Sequence, residues 1–369
     1  MYSSKGRHDG DRLATAEGEC RVSEPSGAHA ESGTTLQRSP DGERERGGTG
    51  RPSVSVVVPT HNRRHLLPRT LSSVLGQVGV DLEVIVVDEA SRDGTAAYLR
   101  ELDDDRVRVV RHERPKGTAR ARNAGIDLAA GSYVAFCDDD DLWAPDKLAV
   151  QLDALRRQPE ARWSAVGIVV IDEYLRVIGH RLAPAGPEVA RTLLAGNVIS
   201  CPSGVVAATD LLREVGGFDP ALPIMPDWDL WIRLALVSPL ASCDRPLLAY
   251  LRHSRSQTSA GGATFDAEYR YLRDKFADER RRLGVELCVP AALHWVAEGH
   301  ARAGQRWPAV RRYLALLRYR DVAAFKRMPA VLLWPGAIRL VDRRAGRRVP
   351  RAWLAEVAPW LRRYAPSGG

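Results

Sequence analysis

From Val54 onward, apolar residues arrive in short blocks, each with either the composition of a strand or the spacing of a helix. "VSVVV" is a β-branched run that predicts a buried strand, followed by the turn "PTHNRR" and a helix through "LLPRTLSSVLGQ". A second cycle repeats the order. "LEVIVVDEAS" is an apolar run ending in acid, "RDGTAAYLREL" a short helix, "RVRVVRHE" an alternating strand, "GTARARNAGIDLAAG" a helix ending at Gly131, and "SYVAFC" a strand that ends at four aspartates. Strand, helix and strand in succession predict an α/β fold with a mostly parallel sheet flanked by helices. Further on, "WSAVGIVVID" reads as a strand, "EYLRVIGHR" as a hairpin-like segment and "WDLWIRLALV" as an amphipathic helix, whose Trp228, Trp231 and Leu234 face a core.

Composition narrows the class without naming an activity. The 369 residues are 44% hydrophobic and 27% charged, which suits one large globular domain with an appendage. No apolar stretch approaches the ~20 residues of a membrane span and the first residues lack an apolar signal core, so a cytoplasmic location is expected. Cys20, Cys137, Cys201, Cys243 and Cys288 lie far apart with no C-x-x-C pair, which predicts reduced thiols and argues against zinc. Residues 1–52 lack helical or strand periodicity and predict a disordered tail. Residues 301–369 carry 16 Lys and Arg against 3 Asp and Glu, and Trp295, Trp307, Trp334, Trp353 and Trp360 cluster toward that end. Two readings stand for this stretch: a helical appendage packed on the main domain, or a face that meets an anionic membrane. No nucleic-acid binding module is present in the sequence, and none is expected.

The candidate chemistry sits at strand ends. Ligands of such sheets bind beyond the carboxyl ends of the strands, where Pro59 and Thr60, Asp88 and Glu89, and Asp138 to Asp141 all fall. Four adjacent carboxylates beside an apolar run repel one another, and a cation is the expected compensation. The first loop, "PTHNRR", has no glycine, so it is neither a dinucleotide fingerprint nor a P-loop. Phosphate charge is then met by a divalent cation, Mg²⁺ or Mn²⁺, on hard carboxylate oxygens. A carboxylate such as Asp88 can also accept from a base N–H or a ribose hydroxyl.

Five segments in order resemble the family 2 glycosyltransferases, nucleotide-diphospho-sugar transferases of GT-A fold. They are "VSVVVPTHNR", "VIVVDEASRDGT", "ARNAGI", "FCDDDDLW", and "GGFDP" followed by "PDWDLWIRL". The resemblance implies a domain over 53–262, with a nucleotide half to about 143 and an acceptor half beyond, and leaves 263–369 as a basic helical region. It implies that Pro59, Thr60 and Asn62 lie along the nucleotide, that Asp88 and Glu89 bond base and ribose, and that Asp138 with Asp140 carries the metal. Arg122 and Asp139 join the nucleotide side, with Asn123 beside them, and Arg252 and His253 approach the diphosphate. Asp227 is implied as the general base of an inverting transfer from a nucleotide sugar, a UDP-sugar above others, to a hydroxyl of a saccharide, lipid-linked saccharide or small molecule. From the residues alone Asp227 also has the place of a cap on the helix that follows it. A sugar-phosphate nucleotidyltransferase would need a glycine-rich first loop. A non-catalytic nucleotide-sugar binder would dispense with Asp140 or Asp227, and both are present.

Overall fold

The computed structural model describes residues 52–199, 201–253, 262–302, 305–319 and 349–365, with two short strands, β1 (Ala14–Thr15) and β2 (Gly18–Glu19), that pair antiparallel. The rest of the expected N-terminal tail lies outside the described residues.

The first half alternates as its patterning requires: β3 (Val54–Thr60), α1 (Leu67–Leu75), β4 (Leu82–Asp88), α2 (Thr95–Glu101), β5 (Val107–Arg111), α3 (Thr118–Leu128) and β6 (Tyr133–Phe136). Every residue of β3 is buried, as is nearly all of β4, which suits their Val and Ile runs to a central place in a parallel sheet. The second half supplies β7 (Leu142–Trp143), α4 (Lys147–Arg157), β8 (Trp163–Ile171), β9 (Val177–Arg181), α5 (Val189–Ala195), β10 (Val205–Ala208), α6 (Thr209–Glu214), α7 (Pro226–Val237) and β11 (Leu240–Leu251). Helices α8 (Gly262–Lys275), α9 (Ala277–Leu283), α10 (Val289–Arg302), α11 (Arg306–Leu316) and α12 (Arg351–Leu361) follow.

One nine-stranded sheet runs β5-β4-β3-β6-β10-β8-β11-β7, with β9 hydrogen-bonded to β8. Strands β3 to β6 are parallel, whereas β10 lies antiparallel between β6 and β8 and turns the nucleotide half into the second half. Strand β3 sits between β4 and β6, so the chain reverses direction across the sheet at β3 and opens a crevice there. Helix α3 approaches β3 closely at Gly125, where an added Cβ would lie 2.3 Å from Val57 Cγ1. The glycine of "ARNAGI" is therefore a packing residue.

Apolar clusters cover both faces, and the terminal helix belongs to one of them. Val357, Trp360 and Leu361 join the cluster containing Val166, Ile168 and Leu248, and Trp353 covers the sheet at Gly167 and meets the His180 ring edge-on at 5.6 Å. For α12 the packed-appendage reading is the one the structure adopts, and it absorbs two of the five C-terminal tryptophans. Trp334 lies outside the described residues. Among the described cysteines, Cys137, Cys201 and Cys243 are free, as expected, while Cys288 is disulfide-bonded, contrary to the expectation of reduced thiols throughout.

Candidate active site

The sheet order brings the ends of β4, β3 and β6 side by side, and the four aspartates that follow β6 are divided between structure and surface. Asp141 is wholly buried and accepts from Ser203 Oγ at 2.5 Å, Cys201 Sγ at 3.1 Å and the Leu251 amide at 3.0 Å. Burial, with the charges of Asp140 and Asp138, pushes its carboxyl well above the usual range. Asp139 accepts from Thr60 Oγ1 at 2.7 Å, which ties the β3 loop to the β6 loop, and burial followed by Asp140 pushes it up to about 8. Asp138 is ion-paired with the buried Arg122, and Asp140 Oδ2 lies 2.9 Å from His253 Nε2. The like charge is thus relieved by the raised carboxyls of Asp139 and Asp141 and by the Arg122 guanidinium on Asp138.

Asp138 and Asp140 are the two members with half-buried side chains, at 27% and 15% exposure, so their hard oxygens suit Mg²⁺ or Mn²⁺. Among the described residues, ligand atoms of Asp138, Asp141 and Cys201 also fall within 4.8 Å of one another. That trio suits a hard ion poorly. Burial, followed by the charges of Asp141 and Asp138, pushes the Cys201 thiol well above its ordinary value, so it stays protonated and bonds to Asp141.

On the nucleotide side Asp88 and Glu89 are occupied by the protein itself. Asp88 Oδ1 accepts the Ser91 amide at 2.9 Å and Oδ2 is paired with Arg111. Glu89 is paired with His112 and accepts the Lys116 and Gly117 amides at 2.6 and 2.7 Å, which fixes the β5–α3 loop. Pro59 is buried within β3, opposite Val87. A cavity of about 280 Å³ opens instead between His61, Asn62, Ala90, Arg92, Glu113, Arg114 and Pro115. The last three come from "HERPKG", which sequence reasoning passed over, although a charged pair beside a proline at a strand end was a signal for it.

Two facing residues of that cavity have left-handed backbone, Asn62 at φ 55° and Ala90 at φ 56°. Their loops are cross-tied by Asn62 N to Ser91 Oγ at 2.9 Å and by Arg92 N to Asn62 Oδ1 at 2.7 Å. Asn tolerates this region, but for Ala it costs about 1 kcal/mol. Ala90→Gly is expected to raise unfolding free energy by about 0.5 kcal/mol in a denaturant titration, after the greater unfolded-state freedom of glycine is deducted. A loss of stability would mean that the alanine methyl packs usefully in the cavity wall.

On the acceptor side Asp227 is not the cap of α7. Pro226 takes the first helical position and Met225 the cap, so Asp227 stands inside the first turn and accepts the Trp228 amide at 2.8 Å. Burial pushes its carboxyl up to about 6, against the lowering pull of the Trp228 N–H, the Arg122 charge and a bond from Asn197. Arg122 therefore acts on Asp138 and Asp227 at once. Its guanidinium lies over the Phe218 ring at 5.3 Å, and its Nε has no partner among the described residues. Asn123 exchanges two 2.8 Å bonds with the Phe218 backbone, joining the "ARN" helix to the "GGFDP" loop. Asp229 is buried between Arg233 and Lys275 and is structural. Arg252 bonds through its amide to Ile171 O at 2.9 Å, and residues 254–259 of the same segment lie outside the described residues.

Residues 55–210 match the family model described as glycosyl transferase family 2. Over 102 residues the chain is 36% identical to the Escherichia coli UDP-Glc:alpha-D-GlcNAc-diphosphoundecaprenol beta-1,3-glucosyltransferase WfgD, covering 28% of this chain and 40% of that one. Over 97 residues it is 42% identical to the succinoglycan biosynthesis protein ExoO of Rhizobium meliloti, covering 26% and 28%. The chain thus spans less than half the length of these curated relatives. The crystal structure of S. aureus TarS 1-349 in complex with UDP-GlcNAc superposes with a TM-score of 0.52 at 17% identity, over 82% of this chain and 92% of that one, and shares the fold.

Proposed function

We propose that this chain, whose residues 55–210 match the glycosyl transferase family 2 model, is a member of that family and transfers a sugar with inversion from a nucleotide-diphosphate sugar to an acceptor hydroxyl. The observation that carries the reading is the buried guanidinium of Arg122, which is paired with Asp138 and also acts on Asp227. A UDP-sugar is the favoured donor, since the E. coli relative is named for UDP-Glc and the S. aureus structure holds UDP-GlcNAc. The acceptor is a saccharide, a lipid-linked saccharide or a small molecule.

In this reading the nucleoside enters the cavity between Asn62 and Arg114, and the diphosphate lies along the β6 loop. Asp227 takes the proton of the acceptor hydroxyl as that oxygen bonds to the anomeric carbon; the carbon–oxygen bond to the diphosphate breaks, and its electron pair leaves with the nucleotide. A carboxyl near 6 suits the step, because it is ionised at neutral pH yet still basic. Asp138 and Asp140 would hold Mg²⁺ or Mn²⁺, which when bound neutralises diphosphate charge. His253, beside Asp140, approaches the diphosphate from just beyond the end of β11.

A panel of nucleotide sugars assayed with candidate acceptors tests the reaction, and the product anomer should be opposite to the donor's. Retention would overturn the single displacement. Calorimetry with UDP tests the cation separately, with affinity expected to fall at least tenfold in EDTA relative to Mn²⁺ and Asp140→Asn expected to mimic EDTA. Equal affinity in both buffers would remove the metal from the reading.

A further inference from the structure

We infer that helix α11 is a docking face for an anionic lipid bilayer. Trp307, Arg311, Leu314 and Arg318 follow one another at i, i+4, i+7 and i+11, a single stripe on the helix, and all four are exposed, Trp307 at 71% and Leu314 at 47%. The opposite side of the same helix, Ala309, Val310, Tyr313 and Leu316, is buried. Leu317 at 40% and Tyr319 at 50% extend the apolar margin of the stripe, and Trp295 on α10 is 41% exposed.

A protein partner would ordinarily be matched by charges of both signs, and here one sign is missing. Residues 289–319 contain five arginines and one acid, Glu298, which is buried. Among the described residues Arg312 is ion-paired with Asp266, whereas Arg311 and Arg318 have no carboxylate partner. Large apolar side chains alternating with unopposed arginines match a surface that offers acyl chains and phosphate headgroups together.

Helix α10, the neighbour of α11, is tied to the acceptor half. Trp295 meets Phe265 at 5.4 Å, Phe265 stacks on Tyr269 at 6.0 Å, and Tyr269 meets Trp228, the neighbour of Asp227, at 6.1 Å. A path of ring contacts thus links α10, which packs against α11, to the first turn of α7. Surface binding does not depend on the sugar-transfer reading, and either can fail alone.

The test is flotation of the full chain with vesicles of phosphatidylcholine alone and of phosphatidylcholine with about one-third phosphatidylglycerol, at ~0.1 M salt, where attraction reaches about 10 Å. Binding to the anionic vesicles only is expected, with release at high salt. At about fivefold per arginine, the Arg311→Glu/Arg318→Glu pair should lose well over tenfold, the Trp307→Ala/Leu314→Ala pair should also weaken binding, and Arg311→Lys/Arg318→Lys should retain it. UDP calorimetry on each variant verifies that the nucleotide site is still folded. Equal flotation on neutral and anionic vesicles, or charge-reversed chain that floats like the parent, overturns the proposal. So does a dimer in sedimentation velocity that Trp307→Ala dissolves while no vesicle is bound, because a second copy then covers the stripe.

Discussion

Replacing Asp227 with Asn is expected to cut turnover by about 10² to 10⁴, the usual scale for a removed general base, with UDP affinity nearly unchanged. Asparagine keeps the size and the oxygen that accepts the Trp228 amide, so the first turn of α7 retains its local bond while the basicity is lost. The parent should lose activity as pH falls through about 6, where Asp227 gains a proton. Stability moves the other way. A folded pKa near 6 against an unfolded value near 3.9 means that the folded state binds the extra proton, so this group's contribution weakens as pH rises from about 4 to 6. The full shift corresponds to nearly 3 kcal/mol, and partial solvent access reduces it to about 1, so Asp227→Asn should be slightly more stable than the parent at neutral pH. A variant with normal turnover would reduce Asp227 to a fold element. Lost activity together with a retained acid limb in the residual rate would assign that limb to another group.

The parallel half was legible because its signal is local. The β-branched runs of β3 and β4, the acids at their ends and the helices between them each occupy fewer than a dozen adjacent residues. The insertion of β10 between β6 and β8 was not, since a four-residue strand "VVAA" carries little periodicity and its partners lie about 40 and 70 residues away. The site divides in the same way. Asp138, Asp140 and Asp227 are singled out by motif and charge alone, but the internal hydrogen bonding of Asp88 and Glu89 depends on Arg111, His112 and two amides of the next loop, which no local pattern specifies. The capping alternative for Asp227 was already disfavoured by Pro226, whose fixed φ favours the first position of a helix.

Lys147 shows the other limit of reading a sequence, and it carries the second large expectation. In "DKLAVQLDALRR" a lysine at the start of a helix reads as solvent-facing, yet this one is wholly buried, with its Nζ 2.8 Å from Gln151 Oε1 and 3.9 Å from the centre of the Trp143 ring. Burial lowers its pKa to about 7, since the nearby thiols Cys137, Cys243 and Cys201 and the ring do not repay the lost hydration of an ammonium. The folded state then releases a proton that the unfolded chain holds up to about 10.4. The resulting destabilisation is complete at and below pH 7 and is relieved as pH rises from 7 toward 10.4. Lys147→Met keeps the volume without the charge, so its stability relative to the parent should be greatest at pH 7 and shrink by about 2 to 4 kcal/mol by pH 10. Gln151 Oε1 loses a partner in the variant, which subtracts about 1 to 3 kcal/mol at every pH and leaves the slope untouched. Denaturant titrations of both proteins at pH 7, 8.5 and 10 read that slope directly. Curves that stay parallel across the range would show that Lys147 keeps its proton in the folded state, and the buried amine would then have to be paired or hydrated inside the core.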